Sequence, residues 1–221
     1  MSVRRVRARA VSHGAFIVLE GLDGAGTTTQ AERLARALGD RGHRVRVTRQ
    51  PSDGPIGTMV RQALTGRLVL PNGAGPLTED TLALLFAADR LDHLAAVIEP
   101  ALARGEIVLC DRYVLSSLAY QGSALPPAWV EQINARARRP DLTLFLEVDA
   151  RTAARRRAVR GHDAELFEAD ERQRRIARQY RAAIRRRASS ERIVRIDGGQ
   201  PIEAVTAAAL AEIERVLGVS R

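Results

Sequence analysis

The apolar run Ala15–Glu20 (AFIVLE) leads directly into Gly21-Leu22-Asp23-Gly24-Ala25-Gly26-Thr27-Thr28, and a helical pattern follows over Thr27–Arg41. That order constrains the chain more than any other feature. A phosphate-binding loop asks for Gly, four residues, then Gly-Lys-Ser/Thr, set between a strand and a helix. The glycine spacing, the strand and the helix all match. Gly21, Gly24 and Gly26 let backbone N–H groups wrap a phosphate, and the helix N-terminus adds partial positive charge. Leu22, Asp23 and Ala25 complete the loop, and Thr28 stands where a hydroxyl that ligates Mg²⁺ belongs. The lysine position, however, is Thr27. A tight turn that only needed positive φ would also use glycines. Such a turn leaves unexplained why three threonines open the helix.

The rest of the chain alternates in the same way. Val45–Thr48, Glu106–Asp111, Leu142–Val148 and Arg192–Ile196 read as further strands. Helical patterns cover Ile56–Thr65, Glu79–Ala103, Ala128–Ala137, Ala150–Arg160, Leu166–Arg187 and Ile202–Leu217, while Val69–Thr78 is rich in turn residues. Apolar strands separated by helices predict an α/β fold: a five-stranded parallel sheet flanked by helices on both faces, as in phosphate-loop NTPases. In such folds ligands bind beyond the carboxyl ends of the strands. Residues 15–221 read as one domain, preceded by a basic tail over 1–14 that is expected to be disordered.

The net charge of +9 is a nucleic-acid signal only if it is spread over one face. It is not. The tail carries Arg4, Arg5, Arg7 and Arg9 with no acid, and Arg151–Arg187 holds 13 arginines against five acids. The remainder nets −3, so no nucleic-acid partner is expected. No apolar run approaches the 18 residues of a membrane span, so no membrane partner is expected either. Cys110, the single cysteine, lies in an apolar strand and fits a small core residue in a reducing cytoplasm. His13, His43, His93 and His162 are scattered, which gives no zinc-ligand spacing.

A second constellation follows the third strand: Asp111-Arg112-Tyr113, then Ser116, Ser117 and Ala119-Tyr120-Gln121-Gly122. With Phe86 and Arg90 in LLFAADR and with RPDLTLFLEVD over Arg139–Asp149, the chain resembles the thymidylate kinase family from about Phe16 to Leu217. The DRYxxSSLAYQG block carries most of that resemblance. The resemblance implies a dTMP kinase that uses ATP and Mg²⁺, acting in the cytoplasm as a homodimer. It assigns Thr28 and Asp111 to the metal, Arg112 to the acceptor phosphate with Arg49 as a second contact, and Phe86 to stacking on the thymine. Arg90 and Gln121 would meet the base edge, Tyr120 the sugar's 2′ carbon, and Asp23 the region of the 3′-hydroxyl, with Ser116 beside them. A planar guanidinium suits bidentate phosphate binding, and hard oxygen ligands suit Mg²⁺.

Three departures from the family pattern stand out. Thr27 replaces the loop lysine, Gln50 replaces the glutamate of a TREPGG segment, and Glu165-Leu166-Phe167-Glu168 replaces a lid DRFE. The lid is expected over about residues 150–168, and Arg156, Arg157 or Arg160 within it could supply the missing charge. A kinase for another monophosphate, or a nucleotide-binding protein without turnover, would share the same loop.

Overall fold

The computed structural model describes residues 14–68, 71, 75–158 and 166–218, without the side chains of 150, 157, 158 and 166–170. The expected tail, apart from Gly14, lies outside the described residues, as do Arg160, the stretch 161–165 between the two expected helices, and part of the Val69–Thr78 segment.

Five strands form one sheet: β1 (Phe16–Gly21), β2 (Val45–Arg49), β3 (Ile107–Asp111), β4 (Leu142–Glu147) and β5 (Ile193–Asp197). Their order is β2-β3-β1-β4-β5 and every pairing is parallel. This is the α/β arrangement that the alternation predicts. β1 is central and all six of its residues are buried, as its unbroken apolar run requires. Successive β1 residues serve opposite faces. Phe16 and Val18 join one core with Cys110, Leu118 and Tyr180; Ile17 and Leu19 join the other with Leu34, Leu38 and Ile213. The second face is covered by α1 (Thr27–Gly39) and α9 (Ile202–Val216).

The first face carries α4 (Glu99–Ala103), α5 (Val114–Tyr120) and α8 (Leu166–Arg187), and α7 (Ala150–Ala158) contributes Ala153 to the same core. α2 (Pro55–Leu64) packs against α3 (Glu79–His93), and α6 (Pro127–Ile133) against α5. In α8 the stripe Ile176, Tyr180 and Ala183 is buried while most of its arginines are exposed.

Two helices differ from the sequence pattern. The run read as one helix over Glu79–Ala103 is interrupted by a π turn at Leu94–Ile98. Pro100 has no N–H to donate to the carbonyl four residues back, and a wider turn absorbs that loss. α6 stops at Ile133 rather than Ala137, because the Asn134 side chain is drawn inward and accepts from Arg90. Gly14 belongs to the packed body rather than the tail: its N–H donates to Leu102 O at 3.2 Å, and a Cβ there would lie 2.4 Å from Glu106 O.

Candidate active site

The loop between β1 and α1 takes its shape from glycine. Gly24 and Gly26 have φ of 92° and 94°. At Gly21 a Cβ would stand 2.9 Å from Leu146 O, so the loop could not lie against β4 with any other residue. Leu22 and Ala25 are buried and anchor it. Gly26 is the N-cap of α1 and offers no side-chain cap, nor does an acid lie in the first turn. The first N–H groups of α1 are thus left for an anion. Thr27 is buried; Thr28 is exposed, and its hydroxyl donates to Asp111 Oδ2 at 2.5 Å. The other carboxylate oxygen, Asp111 Oδ1, is buried with no hydrogen-bond partner. An orphaned carboxylate oxygen beside a threonine hydroxyl fits a hard divalent cation.

Asp111 ends β3 opposite Leu19 of β1, and Arg112 follows it at φ 71°, the one positive-φ residue other than glycine among the described residues. Its backbone N–H donates to Leu19 O at 2.9 Å. Nη1 donates to Gly21 O at 2.9 Å and Nη2 to Asp23 Oδ1 at 2.7 Å, while the guanidinium carbon lies 5.3 Å from the Tyr120 ring centroid. Burial opposes its charge, yet Tyr120, Tyr180, Asp23 and Asp111 together hold its pKa well above that of a free arginine. It stays cationic.

Beneath Arg112 sits Glu20, fully buried at the end of β1. Its Oε1 accepts from Tyr113 N at 2.8 Å and Ser116 N at 3.1 Å; its Oε2 accepts from Ser116 Oγ at 2.6 Å and Tyr180 Oη at 3.1 Å. Burial pushes the Glu20 pKa up, against the pull of Ser116 and Arg112. Sequence reading missed Glu20 and Tyr180. A carboxylate closing an apolar strand was the available signal for the first, and a tyrosine on the buried stripe of α8 for the second.

A cavity of about 380 Å³ opens beside this network. Asp23, Phe86, Arg90, Arg112, Ser116, Tyr120 and Gln121 all line it, although they come from three separate stretches of chain. Phe86 is half-buried and Gln121 buried. Arg90 is fully buried and held by neutral oxygens: Gln50 Oε1 at 3.0 Å, Ser117 Oγ at 3.0 Å, Tyr113 O at 3.2 Å, and Asn134 Oδ1. Burial lowers its pKa.

Arg49 is not among the lining residues. It is exposed and pairs with Asp53 Oδ1 at 2.9 Å. The next residue, Gln50, turns inward instead, with Nε2 3.3 Å from His93 Nδ1 and Oε1 on Arg90. Buried Asp89 fixes this segment by accepting from Ser52 N at 2.9 Å. Arg172, Gln173 and Ile176 of α8 also line the cavity, and Gln173 Oε1 is buried without a partner. None of the three was singled out from sequence; in an arginine-rich run they carried no distinguishing signal. In the lid segment, Arg156 Nη1 lies 3.5 Å from Ala25 O. Arg157 falls on α7 but its side chain is not described, and Arg160 lies outside the described residues.

The loop and the cavity together have the form of a donor site beside an acceptor site. A family model described as thymidylate kinase matches residues 19–209. The chain belongs to the thymidylate kinase family. The resemblance carried by the DRYxxSSLAYQG block is therefore borne out. A probable thymidylate kinase of Pyrobaculum calidifontis is 41% identical over 208 residues, covering 93% of this chain and 99% of that one. A thymidylate kinase of Alkalilimnicola ehrlichii is 40% identical over 206 residues, with coverage of 90% and 91%. A probable thymidylate kinase of Pyrococcus horikoshii is 41% identical over 168 residues, with coverage of 76% and 81%. Among the described residues of this family member, no helix is long and apolar enough to cross a membrane.

Proposed function

We propose that this chain phosphorylates dTMP to dTDP with ATP and Mg²⁺. The observation that carries the reading is the cavity. Phe86, Arg90, Tyr120 and Gln121 all line it, as does Arg112, which donates to the Gly21 carbonyl of the phosphate loop.

In this reading ATP's phosphates lie on the Gly21–Thr28 loop, and the N–H groups of α1 take their negative charge. Thr28 and Asp111 would hold the cation, which would neutralise charge on ATP's phosphates when bound. Arg112 exchanges part of its protein hydrogen bonding for the acceptor phosphate and aims one of its oxygens at the γ-phosphorus. A new P–O bond forms there as the β,γ-bridging bond breaks, and ADP leaves. Such a transfer needs position and charge more than covalent chemistry from the protein. Phe86 stacks on the base, Arg90 and Gln121 meet its edge, and Tyr120 packs against the sugar carbon that would carry a 2′-hydroxyl in a ribonucleotide. Asp23, now paired with Arg112, lies where the 3′-hydroxyl would come, and Ser116 steadies the guanidinium from below. Arg49, outside the cavity lining, reaches the acceptor only if it leaves Asp53.

The same reading makes the protein a cytoplasmic homodimer that needs neither membrane nor nucleic acid. Supporting the dimer, Leu84 and Leu91 of α3 are exposed seven residues apart on one helical face, with Met59 and Leu64 exposed on α2.

The test is ADP release with ATP, Mg²⁺ and dTMP, compared with dUMP, UMP, CMP, AMP and GMP. Turnover with dTMP above all the others is expected. Turnover that never exceeds the acceptor-free background would overturn the reading.

A further inference from the structure

Thr27 leaves the phosphate loop without the side-chain cation that ordinarily lies against the β- and γ-phosphate oxygens. The structure brings another cation to the loop. Gly24 makes this possible: a Cβ there would stand 2.5 Å from Ala153 O, so only glycine lets α7 settle directly on the loop. Ala153 is fully buried in that contact. Three residues further along α7, Arg156 extends to Ala25 O at 3.5 Å, two positions before Thr27. That bond is long, and Arg156 forms no ion pair among the described residues. The nearby acid Asp149 is engaged by Thr152, through N at 2.8 Å and Oγ1 at 2.7 Å. Arg155, by contrast, is exposed and donates back to its own helix at Thr152 Oγ1.

We propose that Arg156 supplies the charge that position 27 lacks, reaching from α7 to the β- and γ-phosphate oxygens of ATP. The proposal rests on the kinase reading above and deepens it. A half-buried guanidinium, held by one long bond to a loop carbonyl, gives up little when phosphate oxygens replace that carbonyl. Its planar donors can bridge two oxygens where an ammonium would meet them as a point charge. Because α7 is seated on the loop through Gly24, Arg156 is held beside the loop.

The experiment is a double-mutant cycle on the full chain between Arg156→Ala and Thr27→Lys, read as kcat and KM for ATP. Affinity for a non-hydrolysable ATP analogue with Mg²⁺ is measured alongside by calorimetry, without acceptor. With Thr27 in place, Arg156→Ala is expected to lower kcat/KM for ATP about 100-fold or more. In the Thr27→Lys background the same change is expected to cost under about tenfold, since two groups serving one role are not additive. Arg155→Ala is expected to stay within about twofold of wild type, as surface changes do.

Equal losses in both backgrounds overturn the proposal. So does a loss under about threefold at Arg156, or the same coupling to position 27 appearing at Arg157 or Arg160 instead. Should Thr27→Lys not fold, guanidinium ion decides: restored turnover in Arg156→Ala supports the proposal, and no restoration overturns it. If wild type fails to turn over dTMP, the kinase reading falls, while the cycle remains readable in analogue affinity.

Discussion

At the scale of single residues, Arg112 combines an unfavourable backbone with the densest set of side-chain contacts in the site. A left-handed φ of 71° is strained for any residue with a Cβ, roughly 1–2 kcal/mol. The bonds to Gly21 O and Asp23, and the Leu19 O contact of its own N–H, hold it there. Strain kept at a site is a signature of function rather than packing. Two substitutions separate the backbone from the charge. Arg112→Ala and Arg112→Gly should both lower kcat/KM for dTMP about 30- to 1,000-fold, the worth of a charge-assisted phosphate contact. Arg112→Gly should nevertheless be the more stable of the two by about 1 kcal/mol, since glycine alone adopts this φ freely. Denaturant melts of the pair check this, and equal midpoints would mean that the left-handed turn is not kept in solution.

At the scale of elements, the junction of β1, α5 and α8 depends on one carboxylate. α5 has no side-chain cap of its own, and Glu20 takes that place by accepting from Tyr113 N and Ser116 N. Tyr180 ties α8 to the same carboxylate and to Gly21 O at 3.0 Å. The cavity, which Arg112, Tyr113 and Ser116 line, and the phosphate loop thus share a support. Burial raises the Glu20 pKa from 4.5, so the folded chain holds this proton more tightly than the unfolded chain. Between 4.5 and the raised value the folded state binds more protons, and stability falls as pH rises through that window. Glu20→Gln removes the ionisation and keeps the size, and its amide can donate to Ser116 Oγ and Tyr180 Oη. Melting temperatures of the variant and wild type, taken from about pH 4.5 to about pH 8, should diverge in the variant's favour as pH increases. A difference that does not change with pH would show that Glu20 does not titrate in the folded protein.

At the scale of the whole molecule, the parallel sheet sets every strand's carboxyl end toward one edge, and the loop, Asp111 and Arg112 all follow from that edge. The opposite requirement, covering apolar surface, is met least on α2 and α3, which carry four of the six large apolar side chains exposed among the described residues; Val47 and Ile202 are the other two. Leu84, Leu91, Met59 and Leu64 are 50%, 40%, 44% and 56% exposed on these two packed helices, an apolar surface that the proposed dimer would cover. Leu84→Glu with Leu91→Glu should therefore give a monomer by light scattering, where wild type gives a dimer. Phe86 and Arg90 lie on the same helix, so loss of the interface should also weaken dTMP binding. A wild type that is monomeric at tens of micromolar would refute the assignment of this face.

What could be read without a structure was whatever depends on neighbours in sequence. The apolar runs, the glycine loop and the helix patterns placed every strand to within a residue or two, because strand burial and turn chemistry are local. The family block named Arg112, Ser116, Tyr120 and Gln121, and the structure gathers them with Phe86 and Arg90. What only the tertiary structure decided was which side chains share a cavity. Arg49 and Gln50 are adjacent, yet the first stays outside and the second turns in to hold Arg90, since successive residues at a strand's end point to opposite sides. Glu20 became a helix cap only through the register that pairs Leu19 with Asp111. Asp23 and Arg112, 89 residues apart, meet through the same register. The seating of α7 on Gly24, which singles out Arg156 from a run of arginines, is likewise a long-range contact. Periodicity in a sequence tells which face of an element is apolar; only the packing of the whole sheet tells what that face meets.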